Sequence, residues 1–140
     1  MLTGLMETAE QNGISEFVHF LGYVNGSDKV AAYRMANLVV VPSRQEAMSI
    51  VAIEAGFCGI PVLLTDQCGF SDIRSIDTRL EVAATVTGIA DGLTSLLSDL
   101  NKLTEISELW SNFVKRRYSW SSLAPEYIKL YNTIVEISAE

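Results

Sequence analysis

Two short apolar runs, LVVVPS and PVLLTD, limit the folds open to this chain more than any other feature. They occupy residues 38–43 and 61–66, and the apolar segment MSIVAIEAGFCG at residues 48–59 separates them. Each run has the length and the aliphatic content of a strand that is covered on both faces. The segment between them ends on Gly59, as a buried helix does. This order predicts two parallel strands joined by a right-handed crossover helix.

Further segments continue the alternation of strands and helices on both sides. FVHFLG and the weaker LEVAATV are predicted as two more short strands. Helices are predicted for LTGLMETAEQNG, for SDKVAAYRMAN with Ser27 or Asp28 as N-cap, for TGIADGLTSLLSDL, for LTEISELWSNFVKRR and for APEYIKLYNTIVEI beginning near Ser121 or Ser122. The pattern predicts one α/β domain over residues 1–140, with a mainly parallel sheet and flanking helices.

The charge and cysteine content exclude several classes of protein. The net charge of −7 and the lack of a basic stripe argue against nucleic-acid binding. The cluster Lys115-Arg116-Arg117 is better explained by the negative end of a helix dipole. Two cysteines, Cys58 and Cys68, indicate no disulfide framework, so a reducing cytoplasmic compartment is expected. The sequence shows neither a secretion signal nor an apolar run of membrane-spanning length, although peripheral membrane contact stays open.

Two glutamates, Glu46 and Glu54, lie eight positions apart around the start of the apolar helix. A helix beginning near Met48 offers unpaired N–H groups and a positive dipole end to a phosphate. Glu54, about two turns inside, would be roughly 12 Å away along the axis. The two carboxylates could therefore accept hydrogen bonds from a sugar and a ribose joined through two phosphates.

The simpler alternative is that Glu46 is a favourable charge at a helix end and Glu54 is a surface glutamate paired with a lysine or arginine. Against it, a carboxylate within IVAIEAGFCGIPV needs a polar partner.

The motifs that surround these glutamates resemble the C-terminal domain of family 4 (group 1) glycosyltransferases, from about Leu2 to Tyr131. They are, in order, V-x-F-L-G-Y-V at 18–24, A-Y-R-M-A-N-L-V-V-V-P-S at 32–43, E-x7-E at 46–54, E-A-G-F-C-G-I-P-V at 54–62, C-G-F-S-D at 68–72 and the tail R-R-Y-S-W-S-S-L-A-P-E-Y-I-K-L-Y. The resemblance implies a GT-B type enzyme with two Rossmann-like halves. The C-terminal half binds a nucleotide-diphosphate sugar, and the N-terminal half binds the acceptor.

The resemblance also implies roles for individual residues. Glu46 corresponds to the glutamate that meets hydroxyls of the donor sugar and is assigned as the catalytic residue, while Glu54 corresponds to the one that binds the ribose. The donor site is further expected to include backbone and loop positions of this chain, namely Ala47, Met48, Ser49, Tyr23, Val24 and Gly69. Transfer is expected to retain the anomeric configuration, with neither a metal nor a cofactor.

This chain departs from the family pattern at several positions. A-M-S replaces the usual G-F-G after the first glutamate, so side chains stand where the backbone approaches the donor; Met48 is expected to turn into the core. Cys68 replaces the other glycine of the G-G loop. The arginine and lysine that clamp the phosphates in the family belong to segments upstream of Met1, and no substitutes are visible.

The resemblance further implies that the first two strands of the domain are missing from this chain. In the family they lie between the strands that correspond to FVHFL and LVVVP. Either these two strands pair directly, or the missing N-terminal acceptor domain or a second chain covers their edges.

The parent enzyme is expected to act in glycan or polysaccharide biosynthesis, and this chain alone is expected to be inactive. A noncatalytic remnant or partner-binding module is the main alternative. A receiver-like signalling module is a further alternative, but it would need an acidic cluster at its first strand and a lysine after its last, and this chain has neither.

Residues outside these motifs receive structural interpretations. His19 is expected to be structural or exposed, because no nucleophile or ligand cluster lies near it. Asp66 and Asp72 are expected to cap loops, although the family pattern also allows Asp72 to shape the donor loop. Five aromatic residues are expected to anchor the core where helices meet: Trp110, Tyr118, Trp120, Tyr127 and Tyr131.

Overall fold

A parallel three-stranded sheet forms the middle layer of residues 2–137, the part of the chain that the computed structural model describes. In chain order its strands are β1 Val39–Val41, β2 Val62–Thr65 and β3 Glu81–Val82. The α-helices among the described residues are α1 Leu2–Gln11, α2 Gly26–Met35, α3 Ile50–Phe57, α4 Val86–Leu97, α5 Leu100–Tyr118 and α6 Trp120–Ile137. Short 3₁₀ turns occupy Ser15–Phe17, Ser71–Ser75 and Thr78–Leu80.

The strand order β1-β2-β3 confirms the predicted α/β architecture with a parallel sheet. Val39 pairs with Val62, and Leu64 pairs with Glu81, so β2 is hydrogen-bonded on both sides. Every residue of β2 is buried, which accounts for its uninterrupted apolar sequence. Because both strand pairs are parallel, the carboxyl ends of the three strands lie at one edge of the sheet, where ligands of α/β folds bind.

Helix α3 packs closely on α5, and Gly56 makes this approach feasible. A Cβ at Gly56 would lie 2.6 Å from Val114 Cγ2 and 2.8 Å from Trp110 Nε1. Trp110 is fully buried and belongs to a group of mutually contacting rings, with Phe70 at a centroid distance of 5.5 Å and Phe113 at 5.7 Å. These contacts confirm Trp110 as a core anchor. Tyr118, half-buried against Phe70, is confirmed in the same role.

The prediction of a strand at FVHFL is wrong, because the described residues form none there. Ser15–Phe17 form a 3₁₀ turn, and residues 18–25 have no strand pairing. The proposed direct pairing with LVVVP is also wrong, because β1 pairs with β2 alone among residues 2–137. Phe17 and Leu21 are largely exposed. An apolar run is stable as a strand only when a neighbour supplies its ladder, and residues 2–137 place no neighbour there. Coverage by another chain stays a prediction.

The aromatic residues of α6 are not core anchors, contrary to expectation. Trp120 is 77% exposed, and Tyr127 and Tyr131 are also exposed. Ser119 breaks the helical backbone between α5 and α6 with an extended conformation (ψ 149°), and its carbonyl accepts the N–H groups of the first turn of α6. Only residues 122–124, near the start of α6, reach partial burial, and the described residues further along the helix are exposed.

Several smaller features also differ from or match expectation. The helix α2 begins at Gly26 after Asn25, so neither Ser27 nor Asp28 is its N-cap. The cluster Lys115-Arg116-Arg117 occupies the last turn of α5, as the helix dipole favours. His19 is exposed, in agreement with its assignment as structural or exposed. Over residues 2–137, no helix combines the length and the apolarity that crossing a bilayer requires.

Candidate functional site

The loops that follow β1 and β2 are joined by hydrogen bonds at the carboxyl edge of the sheet. Thr65, the last residue of β2, donates its hydroxyl to the Ser43 carbonyl at 2.5 Å. The Glu46 backbone N–H donates to the Gln67 carbonyl at 2.8 Å. Two bonds between the same pair of loops fix one relative to the other, and together they determine where Glu46 lies.

Gly69 lets the second loop lie directly on the first. Its φ of +63° is in the left-handed region, where side chains are strained. A Cβ at this position would lie 2.0 Å from the Ala47 carbonyl oxygen and 3.1 Å from the Glu46 carbonyl oxygen. The structure therefore brings together three of the predicted site residues, Glu46, Ala47 and Gly69, and it shows that only glycine fits at position 69.

The Glu46 side chain is half-buried and is held by a residue that sequence analysis did not single out. Ser43 Oγ donates to Glu46 Oε1 at 2.6 Å. Within residues 2–137, Glu46 Oε2 receives no hydrogen bond, so one carboxylate oxygen stays open to a ligand. The i, i+3 spacing of a hydroxyl and a carboxylate after a strand was the available signal for this pair.

Helix α3 begins two residues later than expected, and this changes the placement of the A-M-S segment. Ser49 is the N-cap: its side chain accepts from the Ala52 N–H at 3.4 Å and is buried. Glu54 therefore lies one turn into the helix rather than two, about 6 Å from the first helical residue at 1.5 Å per residue. Glu46 lies four residues before Ile50, outside the helix.

Met48 does not turn into the core, as had been expected; it is 44% exposed. The neighbouring Ser49 takes the buried capping place, which leaves the Met48 side chain on the outside. Met48 instead lines an open cavity of about 650 Å³ between the end of α5 and the start of α6. The other lining residues are Phe113, Arg116, Arg117, Tyr118, Ser122, Leu123 and Glu126.

Asp72 and Asp66 both make contacts that hold loops. The Asp72 carboxylate forms an exposed ion pair with Arg117 at 3.3 Å, which links the loop after β2 to the end of α5. Asp66 Oδ1 accepts from the Ala84 N–H at 3.3 Å, in agreement with its expected capping role.

Glu54 has two polar partners on α2, as its apolar surroundings required. Lys29 Nζ lies 2.5 Å from Oε1, and Tyr33 Oη donates to Oε2 at 2.8 Å. The Glu54 side chain keeps 32% of its surface exposed, so it does not point fully into solvent. Lys29 and Tyr33 are four residues apart and so share one face of α2. The ion pair with Lys29 is the one that the simpler interpretation of Glu54 expected of a lysine or arginine. The identity of both partners could not be read from the sequence, because their meeting with Glu54 depends on how α2 crosses α3.

These contacts shift the pKa values of Glu54 and Tyr33. Burial alone raises the pKa of Glu54, but the hydrogen bonds from Lys29 and Tyr33 and the Lys29 charge outweigh it, so the pKa lies below its ordinary value. Burial, followed by the hydrogen bond to Glu54 and the Glu54 charge, raises the pKa of Tyr33 to about 12. Near neutral pH the group is therefore an ionised carboxylate held by an ammonium and a neutral phenol.

Tyr23 and Val24 are the residues expected near the base of a nucleotide. Tyr23 is 90% exposed. Val24 lines a shallow apolar pocket along α2 with residues that include Leu21 and Met35. No hydrogen bond or ring contact within residues 2–137 joins Tyr23 or Val24 to either glutamate, so their role stays a prediction. The described residues also contain no group of three or more metal-ligating side chains.

Comparison with known proteins places this geometry in a family. The chain is 38% identical over 130 residues to a D-inositol 3-phosphate glycosyltransferase of Nocardia farcinica, covering 91% of this chain and 29% of that protein. It is 31% identical over 135 residues to an uncharacterized glycosyltransferase of Methanocaldococcus jannaschii, covering 95% and 35%. It is 31% identical over 129 residues to a phosphatidyl-myo-inositol mannosyltransferase of Mycobacterium leprae, covering 90% and 34%. The chain thus spans about a third of the length of these relatives.

A solved structure and a family model agree with these relatives. The sucrose-phosphate synthase of Thermosynechococcus elongatus superposes with a TM-score of 0.82 at 23% identity, over 95% of this chain and 34% of that one. This likeness confirms the expected GT-B type fold. The model of the family described as glycosyl transferases group 1 matches residues 2–110. Helix α3, expected to be buried, buries only Ala52, Ala55 and Gly56 and leaves Ile50, Val51 and Phe57 exposed. Since the family match covers well over half of a chain whose E-x7-E glutamates lie around the start of α3 beside a parallel sheet, the chain belongs to the group 1 glycosyl transferases.

Proposed function

We propose that this chain is the donor-binding domain of a hexosyltransferase that takes a sugar from a nucleotide diphosphate and retains its anomeric configuration. The observation that carries the proposal is the fixed position of Glu46. Its carboxylate lies at the carboxyl edge of a parallel sheet, held through one oxygen by Ser43 and open at the other. Ligands of α/β folds collect at this edge, and an open carboxylate oxygen accepts hydrogen bonds from sugar hydroxyls.

The start of α3 supports a place for the diphosphate. Its first N–H groups lack intrahelical partners, and the positive end of the helix dipole favours an anion. The Ser49 hydroxyl accepts from one of these N–H groups, that of Ala52, which leaves others for phosphate oxygens. Ala47 and Met48, which precede this helix start and follow Glu46, offer further backbone N–H groups, so sugar and phosphate contacts would be adjacent along the chain.

Glu54 is proposed to accept hydrogen bonds from the ribose. Each carboxylate oxygen has two lone-pair directions, and Lys29 and Tyr33 take one on each oxygen. The remaining directions can accept ribose hydroxyls. Lys29 and Tyr33 would then orient the carboxylate, and the exposed part of Glu54 would be the part that meets the ligand.

The proposal places this chain within a larger enzyme. The acceptor would bind to an N-terminal domain or a second chain that also covers the free edge of β1, and the chain alone would bind donor weakly without turnover. The parent enzyme would work in the cytoplasm in glycan or polysaccharide assembly, with peripheral contact to the membrane where its acceptor is a lipid. The inositol-containing names of two relatives favour a polyol or polyol-phosphate acceptor.

A noncatalytic binding module is the second candidate. Two observations favour it: both Glu54 oxygens already have intramolecular partners, and an exposed Met48 stands in the segment after the first glutamate. Such a module would keep the fold and the helix contacts but would show no preference for a nucleotide sugar over the bare nucleotide diphosphate.

Thermal unfolding with a panel of UDP-, GDP- and ADP-sugars, each beside its nucleotide diphosphate, separates the two candidates. A ligand at about ten times its dissociation constant stabilises the fold by about 1.4 kcal/mol, which raises the melting temperature by about 5 °C. We expect one nucleotide sugar to give this shift and Glu46→Ala to abolish the excess over the nucleotide diphosphate.

Two further variants complete the design. Glu54→Ala should weaken nucleotide sugar and nucleotide diphosphate alike, because the ribose is common to both. Glu105→Ala, which removes an exposed carboxylate on α5, is the matched control and should leave the ligand shift unchanged. Equal shifts for all nucleotide sugars and for wild type and Glu46→Ala would refute the donor-binding role.

A further inference from the structure

Ser43 contacts two different parts of the site. Its hydroxyl donates to Glu46 Oε1 at 2.6 Å, while its carbonyl accepts from the Thr65 hydroxyl at 2.5 Å. The first bond acts on a side chain that faces the ligand edge, and the second connects the same residue to the end of β2. Ser43 therefore links the Glu46 carboxylate to the end of strand β2 through two hydrogen bonds.

Thr65 holds its end of this connection in a fixed place, because it belongs to the core of the sheet. It is the last residue of the fully buried strand β2 and is itself 2% exposed. Its hydroxyl also lies 3.3 Å from Cys68 Sγ, which in turn donates to the Val41 carbonyl at 3.5 Å. Two side-chain donors, one at the end of β2 and one in the loop after it, thus bond to backbone carbonyls at the end of β1 and in its loop, in addition to the ladder itself.

The Glu46 side chain depends on this arrangement for a single conformation. Glu46 lies in the loop before α3 and is only half-buried. Packing alone therefore allows its side chain several rotamers. The hydroxyl of Ser43 selects those in which Oε1 points back toward the strand end and Oε2 is presented outward. A carboxylate fixed in this way binds a hydroxyl-bearing ligand with less loss of side-chain entropy.

We infer that Ser43 is a positioning residue for Glu46 and that Thr65 positions Ser43 in turn, so that the pair presents Glu46 Oε2 to the donor sugar. This inference rests on the proposed function, because Glu46 meets a sugar only in a donor site. It concerns the sugar and not the nucleotide, and it assigns a specific role to two hydroxyls outside the E-x7-E element.

The test compares Ser43→Ala, Ser43→Thr and Thr65→Val in the full 140-residue chain, with Ser98→Ala as the matched control. Ser98 donates its hydroxyl to the Ser95 carbonyl on an exposed surface. Titration calorimetry measures the nucleotide sugar identified by the thermal panel and its nucleotide diphosphate. We expect Ser43→Ala to lose about three- to tenfold in affinity for the nucleotide sugar and nothing for the nucleotide diphosphate. Ser43→Thr, which keeps the hydroxyl, should restore the affinity, and Thr65→Val should lose part of it.

A double-variant comparison distinguishes positioning from general damage. If Ser43 acts through Glu46, Ser43→Ala combined with Glu46→Ala should bind no more weakly than Glu46→Ala alone. Additive losses, equal losses for nucleotide sugar and nucleotide diphosphate, or no loss in Ser43→Ala would each overturn the inference.

A ligand-free readout keeps the inference separate from the proposed function. Three-bond Hα–Hβ couplings of Glu46, measured by NMR, should indicate one χ1 rotamer in the wild type and in Ser43→Thr, and averaged rotamers in Ser43→Ala. Averaged couplings in the wild type would refute the positioning role whatever the binding data. If no variant or wild type binds any nucleotide sugar while the couplings behave as expected, the proposed function fails and the positioning of Glu46 by Ser43 stands.

Discussion

Replacing Tyr33 with phenylalanine tests how α2 is held on the rest of the domain. None of the ten described residues of α2 is fully buried, so the helix depends on a few contacts. Tyr33 supplies two of them: its ring packs against the core, and its hydroxyl donates to Glu54 Oε2 at 2.8 Å. Phenylalanine keeps the ring and removes only the hydroxyl, which leaves Oε2 without its donor.

The expected loss follows from the charge of the acceptor and its exposure. A hydrogen bond to a charged group contributes about 1.5–3 kcal/mol when it is well buried. Glu54 keeps 32% of its side-chain surface in solvent, so water replaces part of the lost bond, and we expect about 1 kcal/mol. For a chain of this size that corresponds to a fall in melting temperature of about 3–4 °C. Urea denaturation near pH 7 measures the free energy directly, with Tyr127→Phe on the exposed face of α6 as the matched control.

The pH dependence of this loss provides a second check with a defined sign. The folded-state pKa of Glu54 lies below that of the unfolded chain, so its contribution is present above the unfolded value of about 4.3 and is lost as the pH falls through the folded value. The wild type and Tyr33→Phe should therefore converge in stability in acid. Tyr33 behaves in the opposite way: its pKa is raised to about 12, so its contribution is present below about pH 10 and is lost between there and pH 12.

Ultraviolet titration tests the alkaline half of this prediction. One tyrosine of the wild type should ionise near pH 12, and Tyr33→Phe should lack that step while Tyr127→Phe retains it. Equal stability of Tyr33→Phe and wild type across the whole range, or loss of the late step in the control alone, would show that the Tyr33–Glu54 bond does not hold α2.

Three glycine substitutions give the remaining predictions. Gly69→Ala should cost about 1–3 kcal/mol by urea denaturation, because its Cβ would meet the Ala47 carbonyl at 2.0 Å and its φ is +63°; unchanged stability would show that the two site loops are not in contact. Gly56→Ala should lose about 1–3 kcal/mol and change the tryptophan fluorescence, because a Cβ would lie 2.6 Å from Val114 Cγ2. Gly4→Ala, which has open space around it in α1, should instead stabilise by about 0.5–1 kcal/mol, and a loss there would undermine the other two comparisons.

The strands and helices that were predicted correctly are those whose local signals agree with their neighbours. β1 and β2 were recognised because apolar runs end at Pro42 or begin after Pro61, and α3 because it ends before Gly59, whose φ of +79° requires glycine. FVHFL carries the same kind of local signal and forms no strand among the described residues. The difference lies in the ladder, which depends on another segment and cannot be seen in the run itself.

Hydrophobic patterns also do not reveal what covers a helix. Trp110 and Trp120 both occur at helical spacing in apolar surroundings, yet one is fully buried and the other is 77% exposed. The cause is the backbone of Ser119, where α5 ends and the chain changes direction. Residues after that point form a helix for local reasons, but only residues 122–124 of it are half-buried.

The candidate site divides in the same way between local and tertiary information. Both glutamates and the glycine at position 69 were predicted from sequence, and so was the need for a polar partner at Glu54. The partners themselves were not, because Lys29 and Glu54 are 25 positions apart and meet only through the crossing of two helices. The start of α3 was placed two residues too early, at the beginning of the apolar run near Met48, although Ser49 is a preferred N-cap residue and caps the helix.

The different surroundings of the two glutamates decide which of them gives the clearer test of function. Glu54 joins α3 to α2 through both oxygens, so removing it leaves Lys29 unpaired and weakens the fold together with any ribose contact. Glu46 takes one hydrogen bond from Ser43 through Oε1, and Oε2 has none among residues 2–137, so the loss of Glu46 should affect a ligand more than the fold. A change in ligand binding at unchanged stability is therefore expected for Glu46→Ala and not for Glu54→Ala. If both variants instead lost stability to the same extent, Glu46 would be part of the structural framework, and the donor sugar would have to be held elsewhere.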